Sequence, residues 1–168
     1  MTDQHEPAET ARPRRNAPGP DLPPRAVALL GYAGAVPFVA MAVIVFFLYP
    51  RPEALAVLAI QIGYGAVILS FLGGIRWGLA MLFPEDPQLL RRLAAATAPS
   101  LIGWGALFMP PVWGLLTLVA AFWAQAAADL EATRAGEAPA WFGGYRVRLT
   151  ILVIGALALS LAGMALRG

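Results

Sequence analysis

The chain has 168 residues, of which 59% are hydrophobic and only 13% charged, and its net charge is +2. Average soluble domains are about 45–50% apolar and about 25% charged, and a single domain of this size cannot hide such an excess from water. The composition excludes a soluble globular enzyme and predicts an integral membrane protein with disorder confined to a polar arm. There is no cysteine, and the single histidine, His5, lies in that arm. Thiolate nucleophiles, Cys/His zinc sites and His-ligated haem are therefore absent from the membrane body, and no metal or other cofactor is expected. All 12 basic residues are arginine. The small net charge gives no reason to expect nucleic acid as a partner.

Residues 1–25 are rich in proline and mixed charge with no apolar period, which predicts a disordered cytoplasmic arm. The apolar run that follows is too long for the hydrophobic core of a signal peptide and reads as a retained span. The first helix is expected over about 26–49, with Pro37 inside it and Tyr49-Pro50-Arg51-Pro52 ending it. The second is expected over about 54–82, stopped by Pro84 and Pro87. The apolar stretch from 93 to 128 would be about 54 Å long as one helix, far more than a hydrocarbon core of about 30 Å. Pro110-Pro111 divides it, so two helices are expected, about 93–109 and 112–128. The fifth is expected over about 149–166.

The arginines orient this five-helix transmembrane domain, residues 26–168. With the N-terminus in the cytoplasm, the inner segments hold Arg12, Arg14, Arg15, Arg25, Arg76, Arg91, Arg92, Arg134, Arg146 and Arg148, while the outer ones hold Arg51 and Arg167. This is the positive-inside pattern. A single crossing over 93–128 would put Arg134, Arg146 and Arg148 outside. The fold class expected is thus an all-α bundle of five transmembrane helices, with the N-terminus inside and the C-terminus outside. No tandem repeat is visible, and an odd number of crossings does not divide into two inverted halves as many transporters do.

Within the spans, the polar residues are the candidates for function. Gln61, Tyr64 and Ser70 fall in the second helix, and Gln125 falls in the fourth, one turn before Asp129. Lipid cannot satisfy such groups, so they must face other helices, either as hydrogen-bonding glue or as a binding site. Arg76 and Asp129 lie just past apolar runs on the cytoplasmic side. One reading pairs them between helices two and four with Gln125 alongside; the other makes them independent interfacial anchors. Ala66, Ser70, Gly74 and Gly78 form a small-residue stripe at four-residue spacing, read as a helix-packing face. Trp141, Tyr145, Arg146 and Arg148 precede the fifth apolar run and read as interfacial anchors in the headgroup zone. The chain shows no phosphate loop, serine nucleophile with a histidine, or acidic pair at metal-ligand spacing. No catalytic residue is assigned.

The run Tyr64-Gly-Ala-Val-Ile-Leu-Ser-Phe-Leu-Gly-Gly-Ile-Arg-Trp-Gly78 resembles the signature of the domain of unknown function 3429 family, the transmembrane protein 69-like proteins. Leu30-Gly31 through Pro37-Phe38, Pro99-Ser100-Leu101, the Gln125-to-Asp129 element, and Pro139-Ala-Trp through Arg146-Val-Arg-Leu-Thr150 match as well. The resemblance runs from about residue 26 to the C-terminus. It implies a multi-pass protein of bacterial inner or mitochondrial membranes, and no established activity.

Besides the lipid bilayer, the expected partner is another membrane protein or further copies of the chain, with the protein acting as a non-enzymatic accessory or assembly component. A small transporter or channel, as a single chain or a homo-oligomer, is the alternative, using Gln61, Tyr64, Ser70, Arg76, Gln125 and Asp129. A membrane enzyme acting on lipid or quinone head groups is a third.

Overall fold

The computed structural model describes residues 22–168. The expected disordered arm lies outside the described residues apart from its last four. Five helices follow in order: α1 (Arg25–Leu48), α2 (Pro52–Met81), α3 (Leu89–Ala106), α4 (Pro111–Arg134) and α5 (Ala140–Arg167). Proline sets most of the starts. Pro52 and Pro111 occupy the first helical position of α2 and α4, and Pro24 and Pro139 sit immediately before α1 and α5. A missing N–H costs nothing in a first turn, where no carbonyl waits for it. Pro37 and Pro99 lie inside α1 and α3, and both helices run through them.

Four of the five helices are long and apolar enough to cross a membrane: α1, α2, α4 and α5. The expectation of five spans is therefore met in part. The exception, α3, has only 18 residues and carries Arg91 and Arg92 in its first turn. It nevertheless lies along α2 in the opposite direction. Ala96 meets Gly73, and Gly103 meets Ala66. Gly114 at the start of α4 then packs on Ala106 and Ile62, while Leu118 packs on Gly65, so α4 runs parallel to α2. At the other side Gly31 meets Tyr145 and Gly163 meets Phe46, which makes α1 and α5 parallel neighbours. Successive helices thus alternate in direction.

The core is apolar through the middle of the bundle. Phe38, Leu58, Leu69, Leu115, Leu118, Phe122 and Leu157 are fully or almost fully buried. The ring of Phe38 lies 4.9 Å from that of Tyr64 and 5.8 Å from that of Phe122. The outside is also apolar. Val36, Ile60, Val67, Phe71, Leu101, Trp104, Trp123 and Ile151 are all exposed. Monomeric soluble proteins do not display apolar surface on this scale, whereas lipid tails accept it without cost.

Two helix boundaries differ from expectation on either side of the α4–α5 turn. α4 extends to Arg134 rather than 128, and α5 begins at Ala140 rather than 149. Helices do not stop where they leave hydrocarbon; they stop where the backbone is capped. Gly136, at φ 72°, donates its N–H to Thr133, and Glu137 donates to Ala132, which closes α4 with a Schellman turn. Five residues then suffice to reach α5.

The expected packing stripe is also corrected. Of Ala66, Ser70, Gly74 and Gly78, only Ala66 is buried, and a Cβ added to Gly74 or Gly78 would meet nothing within 4 Å. The contact line on α2 follows seven-residue spacing instead, through Ala66, Gly73 and Ala80, all buried. This is the seam of a left-handed helix pair, which four-residue steps drift away from. A Cβ on Gly73 would lie 2.5 Å from the carbonyl oxygen of Ala96. Gly73→Ala is therefore expected to lower the thermal midpoint in detergent, by an overpacking cost of about 1–3 kcal/mol. Gly74→Ala, one position along, should leave it unchanged or raise it, because alanine is the better helix former by about 1 kcal/mol. Equal loss in both variants would contradict this seam.

Candidate functional site

The charged centre of the molecule is Asp129 on α4, whose side chain is 2% exposed. Three groups converge on it. Arg146 on α5 donates from Nε to Oδ2 at 2.9 Å. Gln125, one turn back on α4, donates from Nε2 to Oδ1 at 3.0 Å. Arg76 on α2 places Nη1 3.8 Å from Oδ1, an ion pair beyond hydrogen-bond length. The carboxylate therefore ties α2, α4 and α5 together at one end of the bundle.

The short Schellman turn explains the pairing of Asp129 with Arg146. Asp129 lies six residues before the C-cap of α4, Ala135, and Arg146 seven residues after the N-cap of α5, Pro139. The two side chains stand at nearly the same height, about 10 Å above the turn. Gly143 lets the helices close up, since a Cβ there would be 2.9 Å from Thr133 Oγ1 and 3.1 Å from Leu130 Cα. Thr133 Oγ1 in turn donates to the Asp129 carbonyl at 3.0 Å, a bond within α4. Nearby, Arg92 bridges Asp86 at 3.0 Å and Glu137 at 2.7 Å, so the α2–α3 and α4–α5 turns are fastened to each other.

A second polar group lies elsewhere. Gln61 on α2 is fully buried, donates from Nε2 to the Phe38 carbonyl at 3.3 Å, and accepts from Ser160 Oγ at 2.8 Å. It links α1, α2 and α5. Tyr64 donates to the Gly34 carbonyl at 2.9 Å. The fifteen-residue offset from Gln61 to Arg76 is about 22 Å along α2. The six polar candidates thus divide. Arg76, Gln125 and Asp129 meet; Gln61 and Tyr64 bond to α1 carbonyls in another layer; Ser70 is exposed and donates to Ala66 of its own helix at 3.0 Å.

The four residues expected in the headgroup zone divide too. Arg148 is exposed and Trp141 half-buried. Tyr145 is buried, contrary to expectation: it donates to the Val27 carbonyl at 2.8 Å, and its ring stands edge-on to Tyr32 at 5.9 Å. Arg146 is corrected most fully. It is 7% exposed and holds Asp129. The apolar run alone put it outside the hydrocarbon; the stop signal Gly136 and the start signal Pro139, taken together, would have placed it seven residues up a helix facing Asp129.

At the opposite end, Arg167 donates to the Phe47 carbonyl at 3.2 Å and lies over the rings of Phe46 and Phe47 at 5.5 and 5.8 Å. It caps the last turn of α1 with a positive charge where the helix dipole is negative.

Transmembrane protein 69 of Xenopus tropicalis is 32% identical over 142 residues, covering 82% of this chain and 54% of its own length. Transmembrane protein 69 of Mus musculus is 34% identical over 86 residues, covering 50% of this chain and 34% of its own length. The chain spans about half the length of the frog relative and a third of the mouse one. No solved structure matches it. The model of a family described as "protein of unknown function (DUF3429)" matches residues 23–162, a stretch that takes in all of the Asp129 cluster and the Gln61–Ser160 pair. The chain is a membrane protein that belongs to the DUF3429 family.

Proposed function

We propose that this protein crosses the bacterial inner membrane five times, N-terminus in the cytoplasm and C-terminus in the periplasm. In this reading it acts without catalysis, as an accessory or assembly component held against another membrane protein. The alternating helix directions support five crossings, α3 included, since α3 packs along α2 from Ala96 to Gly103. The arginines support the orientation: Arg25, Arg76, Arg91, Arg92, Arg134, Arg146 and Arg148 lie at one end, and Arg51 and Arg167 at the other. Alkaline phosphatase, active only in the periplasm, should be active when fused after Gly168 and inactive when inserted after Glu137. The reverse pattern, or activity at both positions, contradicts the topology.

The observation that carries the accessory reading is the outer face of α2. Ser70 and Gly74 are exposed there beside Val67 and Phe71, and a Cβ added at Gly63, Gly74 or Gly78 would find open space. Small residues left unused by the bundle let a foreign backbone approach closely, which is how helices associate in lipid. The separation of the polar residues into two layers, each bonded within the bundle, favours this over a transport path lined by one continuous set of polar groups. A photo-crosslinking amino acid at Ser70 or Gly74 should yield a discrete adduct with a second membrane protein, while the same label at Ile151 on the outer face of α5 should not. Adducts with lipid alone at all three positions, or a product of only twice the chain's mass, would contradict the reading.

A further inference from the structure

A cleft of about 140 Å³ lies between α1, α2 and α5, towards the arginine-rich end. Its walls are apolar and include Leu30, Gly34, Ile68 and Phe71. Leu30 is 72% and Phe71 64% exposed, so the mouth opens sideways between α1 and α2. The cleft exists because α1 offers glycine here: the nearest atom to a Cβ on Gly34 would be Tyr64 Oη, at 4.0 Å. The space is about that of an engineered cavity that takes up benzene, enough for the upper carbons of one acyl chain whose remainder trails along the outer surface.

Two polar side chains of α5 line this otherwise greasy cleft, Arg146 and Thr150. They stand one turn apart on the same face. Both are more than nine-tenths buried. Arg146 spends Nε on Asp129, but its Nη2 has no hydrogen-bond partner, and neither has Thr150 Oγ1. A buried donor left unmade is among the costlier defects a protein carries, and native structures rarely hold two side by side. Arg146 also shares its one carboxylate: Asp129 serves Arg76 as well, while the acidic excess of the Arg92–Asp86–Glu137 group borders Arg76.

The geometry points to a lipid site: an anionic phospholipid lays its phosphate against Arg146 Nη2 and Thr150 Oγ1 and one acyl chain in the cleft between α1 and α2. The phosphodiester supplies acceptor oxygens for both orphaned groups, and a guanidinium N–H to phosphate is a charge-assisted bond. The depth fits. Arg146 lies about 9 Å along α5 from Ala140, one and a half turns inside the first residue of the helix. The site touches the outer face of α2 proposed for a protein partner only at Phe71, and its polar groups, Arg146 and Thr150, belong to α5, so either reading can fail without the other.

The test is the full-length protein in neutral detergent, titrated with long-chain phosphatidylglycerol, phosphatidylcholine or inorganic phosphate, and read by thermal shift and by native mass spectrometry. Phosphatidylglycerol should bind at one site per chain and raise the midpoint, about tenfold more tightly than phosphatidylcholine. Thr150→Val should weaken phosphatidylglycerol about tenfold, as expected for a lost bond to a charged group. Without lipid it should keep or raise the wild-type midpoint, because it removes an unsatisfied hydroxyl. Gly34→Leu, which fills the cleft and leaves the Arg146–Asp129 pair in place, should abolish the binding. The proposal is overturned if the two lipids bind equally, if both variants bind phosphatidylglycerol like the wild type, or if inorganic phosphate alone reproduces the full shift, since the cleft then plays no part.

Discussion

A charge buried among packed helices has no water to turn to, and this fold is organised around that fact at Asp129. Desolvating a carboxylate costs several kcal/mol even after the protein relaxes, so the group persists only where fixed donors replace water. Here the donors come from different helices: Gln125 from α4 itself, Arg146 from α5, and Arg76 at longer range from α2. Such a cluster contributes little net stability compared with an apolar core. Its consequence is positional, because only one height and rotation of α5 against α4 brings Arg146 Nε within 2.9 Å of the carboxylate.

The second polar layer does the same for α1. Gln61 uses both ends of its amide, donating to Phe38 and accepting from Ser160. Interhelical bonds of this sort are worth about 0.6–2 kcal/mol each in a membrane, so neither layer dominates the energy. Between them lie the rings of Phe38 and Phe122 and the side chains of Leu69 and Leu118, which fill space but specify register weakly. Close packing at Gly73, Gly103 and Gly163 supplies most of the attraction, since lipid tails are as apolar as leucine and helices gain little by leaving them. Register is thus set by a few polar contacts at two heights, and cohesion by glycine.

Much of this was legible in the residues. Composition and proline placement gave the membrane class, the number of helices and most of their starts. The proximity of Asp129 to Arg76 and Gln125 could be suggested from their depth and spacing. Three features were hidden for identifiable reasons. Hydropathy marks where a helix enters lipid, not where its backbone ends, so it omits the last six residues of α4 and the first nine of α5, and with them the place of Arg146. Four-residue spacing on α2 picked out Gly74, whereas a left-handed pair is held by seven-residue spacing through Gly73. The charges of Arg91 and Arg92 conceal the start of α3, which lies at Leu89 rather than 93, because hydropathy counts them against a helix that includes them in its first turn.

The α4–α5 hairpin depends on the energetic coupling of Asp129 to Arg146, and a double-mutant cycle measures it directly. Asp129→Ala, Arg146→Ala and the double variant would be unfolded reversibly in detergent alongside the wild type. Each single change strands a buried partner, so each should be costly, and the double should cost less than the sum of the two by about 2 kcal/mol or more. Costs that simply add would mean that the two side chains do not hold each other, and that the α4–α5 hairpin is set by something else.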